Sequence, residues 1–182
     1  MPELELPELD PPELDMAETR SQAAVSIAWL IALNKPFYPL YVWWLAGAEA
    51  AWNSIATMAT APLYLAVPFV ARRRPFAARV LLVCVGLADT LFATKLFGAS
   101  AGTELFLVPC LLLAYVCFGP QESRWRRGLA VVVLAGFAVL HGRYGAALNG
   151  WAPETAARLF DLNAWSAAGL SVFIVWRFAP VD

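Results

Sequence analysis

Apolar blocks recur from the first third of the chain almost to its end, as in VLLVCVGLADTLFATKLF and LVPCLLLAYVCF. Most run roughly 15–22 residues, the length at which a helix crosses about 30 Å of hydrocarbon. The chain is 60% hydrophobic and only 15% charged. Soluble domains stand near 45–50% and 25%. With 182 residues and a mean hydropathy of +0.61, one soluble core could not hide so much apolar length. The expectation is an all-α polytopic membrane protein.

The charge is unevenly placed. Residues 1–18 hold seven acids and no base, whereas the remainder holds 13 bases and 7 acids, a net of +6. The opening MPELELPELDPPELD repeats Pro-Glu-Leu at 2–4, 7–9 and 12–14. Prolines at this density oppose a regular helix, and the acids repel one another. Residues 1–16 read as a disordered acidic tail, either a solvated leader or a docking segment for a basic partner. A secretory signal would open with a basic region, which is absent.

Residues 17–35 read as an amphipathic helical lead-in, polar first and apolar later. It is either an interfacial helix or the first part of a kinked span, because Asn34-Lys35-Pro36 interrupts it and Pro36 suits the first turn of a new helix. Residues 36–178 then divide into six spans, near 37–48, 54–71, 76–97, 105–118, 128–140 and 159–178, with a short tail at 179–182. The bases cluster in RRRPFAAR (Arg72, Arg73, Arg74, Arg79), in QESRWRR (Arg124, Arg126, Arg127) and at Arg177. Six spans place all of these on one side. The positive-inside rule makes that side, and both termini, cytoplasmic.

Ionisable residues inside spans cost at least about 2.5–3.5 kcal/mol on insertion scales. Asp89 lies about 20 Å into span three at a rise of 1.5 Å per residue, slightly beyond the midplane. Lys95, Glu104, Glu49, Asn53, His141 and Asn163 join it in the outer half or at its rim. These seven are the candidate ligand-binding residues. A purely structural reading competes: Lys95 snorkels to the headgroups, Glu104 favours a helix start, and Asp89 pairs with a base on a neighbouring helix. Asp89 is the deepest and fits that reading least well.

Trp125, Trp151 and Trp176 fit an interfacial belt. Trp43 and Trp44 face lipid or line a pocket. Cys84, Cys110 and Cys117 sit in apolar runs without a CxxC pair and read as small buried residues. There is no phosphate loop, HExxH or nucleophile motif, and one histidine does not make a haem site. No enzymatic activity, cofactor, metal or nucleic-acid partner is expected. Small residues in span six permit close helix contact, so a homo-oligomer is plausible, with residues 1–16 as a contact for a cytoplasmic or membrane partner.

A further order of residues carries a resemblance. Asn34 precedes an aromatic-rich span. Gly47 and Asn53 follow, then an arginine-rich loop with Ala78-Arg79. Next comes Phe97-Gly98, with Gly102, Glu104-Leu105-Phe106 and Pro109. This order resembles the six-span (MASE-like) sensor modules at the N-termini of bacterial adenylate cyclases, diguanylate cyclases and histidine kinases. The resemblance covers about residues 30–178. It implies six spans in the bacterial inner membrane, cytoplasmic termini, frequent dimerisation and sensing of a hydrophobic or membrane-borne signal. Such modules precede an output domain, whereas this chain stops about four residues after its last span. Either the module acts through a separate partner, or the sequence is a piece of a longer sensor, or the module has another job. The function expected is a non-enzymatic sensor that binds an amphiphile and signals to a partner. A subunit or effector of an oligomeric membrane complex is the alternative, and a small transporter ranks below it.

Overall fold

The computed structural model describes residues 11–179, with side chains from residue 16. Among the described residues every regular element is helical. Helix α1 (Pro11–Asn34) passes through a 3-10 turn, Lys35–Phe37, into α2 (Tyr38–Ala46). Backbone angles at Asn34, Phe37 and Tyr38 are all right-handed helical, so the rod does not break there. Pro36 sits at the first turn of the 3-10 segment, where a missing N–H costs little. Gly47 then reverses the chain, and its φ of 89° is open to glycine but strained for other residues.

The return rod is α3 (Ala48–Ser54), a 3-10 stretch at Ile55–Thr60, and α4 (Ala61–Ala71). It packs α3 on α2 and α4 on α1. A turn at Arg72–Arg74 leads to α5 (Pro75–Phe97), which packs on α4 and α1. Two short 3-10 turns, Ala99–Ala101 and Thr103–Phe106, precede α6 (Leu107–Val116). Helices α7 (Ser123–Leu140) and α8 (Pro153–Phe178) complete the bundle. Among the described residues three helical segments are long and apolar enough to cross a membrane: Ala48–Ala71, Pro75–Phe97 and Pro153–Phe178. Thr103–Val116 is apolar but shorter.

The core forms two clusters. The larger joins Ile27, Tyr64, Val67, Leu82, Val83, Leu113, Val133 and Ile174. The smaller, towards the Gly47 and Gly98 turns, joins Val42, Ala50, Leu96, Phe97, Ala101 and Leu159. Outside them the surface is strongly apolar. Trp44 is 80% exposed and Trp165 81%. So many large apolar side chains left exposed suit lipid rather than water.

Several expectations need revision. Most of the acidic tail lies outside the described residues, but the helix begins at Pro11 and not near residue 17. The stretch at 17–35 does not lie apart from the bundle. Ala23, Ala24, Ile27 and Ala28 are buried in the core, so a row of small residues lets α1 approach α4 and α5 closely. Trp43 and Trp44 are exposed, which suits the lipid-facing alternative. Cys84 is also exposed, whereas Cys110 and Cys117 are buried.

Arg79 is not a loop base. It is the buried anchor of α5, 3% exposed, with Nη2 2.6 Å from Glu122 Oε1. Its Nη1 donates to Glu122 Oε2 and to the Cys117 carbonyl, at 2.8 and 2.7 Å. Glu122 also accepts the Gly119 N–H, at 2.9 Å. A bidentate guanidinium–carboxylate pair therefore fixes the turn between α6 and α7 against the first turns of α5.

Candidate ligand-binding site

The site begins with Asp89. It is well past the middle of α5, about 21 Å from the helix start at 1.5 Å per residue. Its Oδ1 accepts from Lys35 Nζ at 2.6 Å and from Thr60 Oγ1 at 2.7 Å, and its Oδ2 accepts from Tyr64 OH at 3.0 Å. Lys35 and Asp89 are both largely buried, with side-chain exposures of 11% and 15%. Opposite charges in contact, with two hydroxyls on the carboxylate, solve the burial problem that either charge alone would pose.

The partners come from special backbone. Lys35 opens the 3-10 turn between α1 and α2, and Thr60 closes the 3-10 stretch between α3 and α4. The two 3-10 segments pack on one another. A 3-10 segment between α-helices is a frequent place for a rod to flex. Asp89, on the regular helix α5, thus holds two such joints together.

A cavity of about 400 Å³ opens beside this cluster. That lies within the range of small-molecule sites. Leu82, Ala93, Phe97, Phe106, Leu113 and Leu170 supply apolar wall, and Tyr38, Tyr64, Thr57, Thr90 and Asn163 supply polar atoms. Its exposed lining residues, Leu30, Asn34, Tyr41 and Gly169, lie on α1, α2 and α8. A Cβ on Gly169 would meet nothing within 4 Å. The mouth therefore opens sideways, between α1–α2 and α8, through the apolar flank of the bundle.

Asn163 is the second expected residue in the cavity. It is 1% exposed. It accepts from Tyr38 OH at 3.1 Å and donates to the Ala101 carbonyl at 2.8 Å. This ties α2, α8 and the 3-10 turn after α5 into one wall.

Three other expected residues form a separate cluster at the Gly98 end. Lys95 does not extend towards headgroups. Its Nζ donates to the carbonyls of Tyr144 and Ala146, at 2.7 and 2.8 Å. Leu148 and Asn149 donate backbone N–H groups to the carbonyls of Lys95 and Leu96. Trp151 Nε1 donates to that of Phe97 at 3.0 Å, and its ring stacks on Phe97. The loop thus satisfies the orphan carbonyls at the end of α5. Glu104 Oε2 lies 2.9 Å from His141 Nδ1, with Glu104 13% and His141 58% exposed. Burial, and then the Glu104 carboxylate, push the Tyr144 phenol above its ordinary pKa.

Glu49 is exposed and Asn53 half-buried, both on α3, and neither lines the cavity. The seven expected residues are thus not one site. Asp89 and Asn163 share the cavity, and Lys95, Glu104 and His141 clasp a loop. Among the described residues no three His, Cys, Asp or Glu side chains are grouped to hold a metal ion.

The sequence model of MASE7, a family of membrane-associated sensor domains, matches residues 15–179. The chain belongs to the MASE7 family. The MASE-like resemblance seen in the sequence therefore holds. No curated protein and no solved structure matches this MASE7 chain. MASE sensor modules are non-catalytic, which is compatible with a chain that is not an enzyme.

The residues missed in this MASE7 domain are the ones Asp89 needs. Lys35 was read as part of a helix interruption, and Thr60 and Tyr64 were not singled out. A lone carboxylate in an apolar run signals that a partner exists. The only signal for its identity was that Lys35 also borders an apolar run, which an ion pair would justify.

Proposed function

We propose that this MASE7 domain is a six-span sensor module of the bacterial inner membrane, with both termini cytoplasmic. It takes an amphiphile from the bilayer into the cavity beside Asp89 and passes the signal to a partner by rearranging its helices. The observation that carries this reading is the coincidence of a side-opening cavity with the ion pair that holds two 3-10 joints together. A molecule entering between α1–α2 and α8 meets Lys35 and Asp89 directly. If it draws Lys35 away from Asp89, the α1–α2 joint loses its tie to α5. A shift of the joint tilts α1 relative to α5, and α1 and α8 are the rods that reach towards the arginine-rich end of the bundle.

The test is a screen of membrane-derived amphiphiles against the protein in lipid nanodiscs, read as a ligand-dependent rise in unfolding temperature. The expected hit stabilises the native protein and not Asp89→Asn. A hit equally effective on Gly169→Trp, which fills the mouth, would place binding elsewhere and refute the reading.

A second reading, a subunit of an oligomeric complex, draws on α7. That helix packs chiefly on α6 and α5 and leaves Val131, Val132, Leu134 and Val139 exposed along its length. A second copy of the chain is the partner that face would take. Mass measurement of the protein released from native membrane into gentle detergent separates monomer from dimer. Residues 1–16 remain the proposed contact for a cytoplasmic partner, because their charge complements a basic surface.

A further inference from the structure

We infer that the cavity selects an uncharged amphiphile whose polar group is a hydrogen-bond acceptor, a ketone or ester carbonyl, and that Lys35 is the group that reads it. The inference rests on the cavity reading above and adds the chemistry of its ligand.

Charge comes first. Lys35 and Asp89 are the charged residues among those lining the cavity, and they are in contact at 2.6 Å, so the lining is electrically balanced. A carboxylate or phosphate entering it would add a negative charge with no free cation to meet it. An ammonium would need Asp89, whose two oxygens already accept from Lys35, Thr60 and Tyr64. Either ion would leave a charge uncompensated in a largely apolar chamber, which is strongly unfavourable.

Hydrogen bonding then decides between polar groups. Most hydroxyls on the wall already donate to protein atoms. Tyr38 donates to Asn163, Tyr64 to Asp89, Thr57 to the Ser54 carbonyl, and Thr90 to the Gly86 carbonyl. An ammonium group has three donors. Lys35 gives one to Asp89, its one hydrogen-bond acceptor among the described residues. At the exposed rim Asn34 and Tyr41 also present polar side-chain atoms; beside Asp89 the chamber's spare donor capacity is on Lys35, and that calls for an acceptor. The volume of about 400 Å³ holds a short polar head with part of a chain. The sideways mouth lets the rest of an alkyl chain stay in lipid.

The experiment uses the full chain in phosphatidylcholine nanodiscs and four probes of matched chain length: tridecan-2-one, tridecane, dodecanoate and dodecyltrimethylammonium. Affinity is read from the dependence of the unfolding temperature on probe concentration. The ketone is expected to bind at least about tenfold tighter than the alkane, as a hydrogen bond to a charged donor implies. It is expected to exceed both ions as well. A carbonyl-labelled ketone should show a lowered infrared stretch in the native protein. The neutral pair variant Lys35→Met with Asp89→Asn should lose both the preference and the lowered stretch while still binding the alkane.

Equal binding of ketone and alkane overturns the carbonyl assignment and leaves the cavity reading standing. So does tighter binding of either ion. Absence of binding by all four, the alkane included, removes the cavity reading and this inference together. The selectivity measurement needs only the native protein, so a variant that fails to fold does not spare the proposal.

Discussion

Lys35 and Asp89 meet at 2.6 Å across 54 residues of sequence, one in the 3-10 turn that joins two helices and the other on a regular helix. Each is the reason the other can be buried. Removing one leaves a charge without its partner, at a cost of about 3–5 kcal/mol. Lys35→Met and Asp89→Asn are each expected to lower unfolding stability, Lys35→Met more, because it strands a carboxylate. The double variant should recover much of the loss. Additive losses in the double-variant cycle would mean that the two residues act independently.

Arg79 and Glu122 make the same argument at the other end of the bundle. Arg79 is almost fully enclosed and Glu122 holds both of its terminal nitrogens. Glu122→Ala strands the guanidinium and frees the Gly119 N–H, so a loss of about 3–5 kcal/mol is expected. Limited proteolysis should then cut within residues 117–122. Unchanged stability and an uncut turn would show that this pair is not what holds α6 and α7 to α5.

Lys95 clasps the loop after α7. Lys95→Met should leave the bundle folded and release residues 141–152. Hydrogen exchange at the Leu148 and Asn149 amides is the measure, since both donate to the end of α5. Their exchange should accelerate by about tenfold or more, while the amides of α5 near Leu82 stay protected. Acceleration throughout α5 would instead mean that Lys95 supports the whole bundle.

Tyr144 gives the loop a base-side weakness. Its phenol is held above the ordinary value of 10.0, chiefly by burial and next by the nearby Glu104. Above pH 10 the released loop ionises more readily than the docked one. The docked state therefore loses stability as pH rises from 10 towards the raised value. Subtracting the absorbance titration of Tyr144→Phe from that of the native protein should show one tyrosinate forming above pH 10. A difference curve centred at or below 10 would mean that the phenol is not enclosed.

How much of this was legible depended on contrast with the neighbouring residues. Asp89 stood out as a carboxylate among LLVCVGLA and TLFATK; the structure gives it the paired base that the structural reading named and that it was held to fit least well, Lys35, on the wall of the cavity. Lys35 sat in Asn-Lys-Pro, where a proline suggests a boundary, yet the backbone absorbs Pro36 within a 3-10 turn and continues. Arg79 was hidden by three arginines just before it, which made the whole run look like one basic loop. Five residues into α5 its environment is different, and only the distant Glu122 reveals why. Glu49 and Asn53 were grouped with Asp89 by depth alone. Depth does not fix which face of a helix a side chain takes, and α3 turns both away from the cavity. The Gly98 turn was legible as a reversal, but the loop that caps it lies 50 residues further on, beyond any local pattern.

The proposed orientation can be checked at two exposed positions, Arg73 and Ser100, which lie in the turns at opposite ends of α5. Six crossings with the arginine clusters inside place Arg73 in the cytoplasm and Ser100 outside. In a background of Cys84→Ser, Ser100→Cys should react with a membrane-impermeant maleimide on intact cells. Arg73→Cys should react only after permeabilisation. Cys110 and Cys117 are buried and should stay silent in both cases. Because a single added or missing crossing before α5 would exchange the two results, the pair of cysteines tests the crossing count as well as the sign of the charge rule. Labelling of Arg73→Cys on intact cells would reverse the topology and put the loop clasped by Lys95 on the cytoplasmic side.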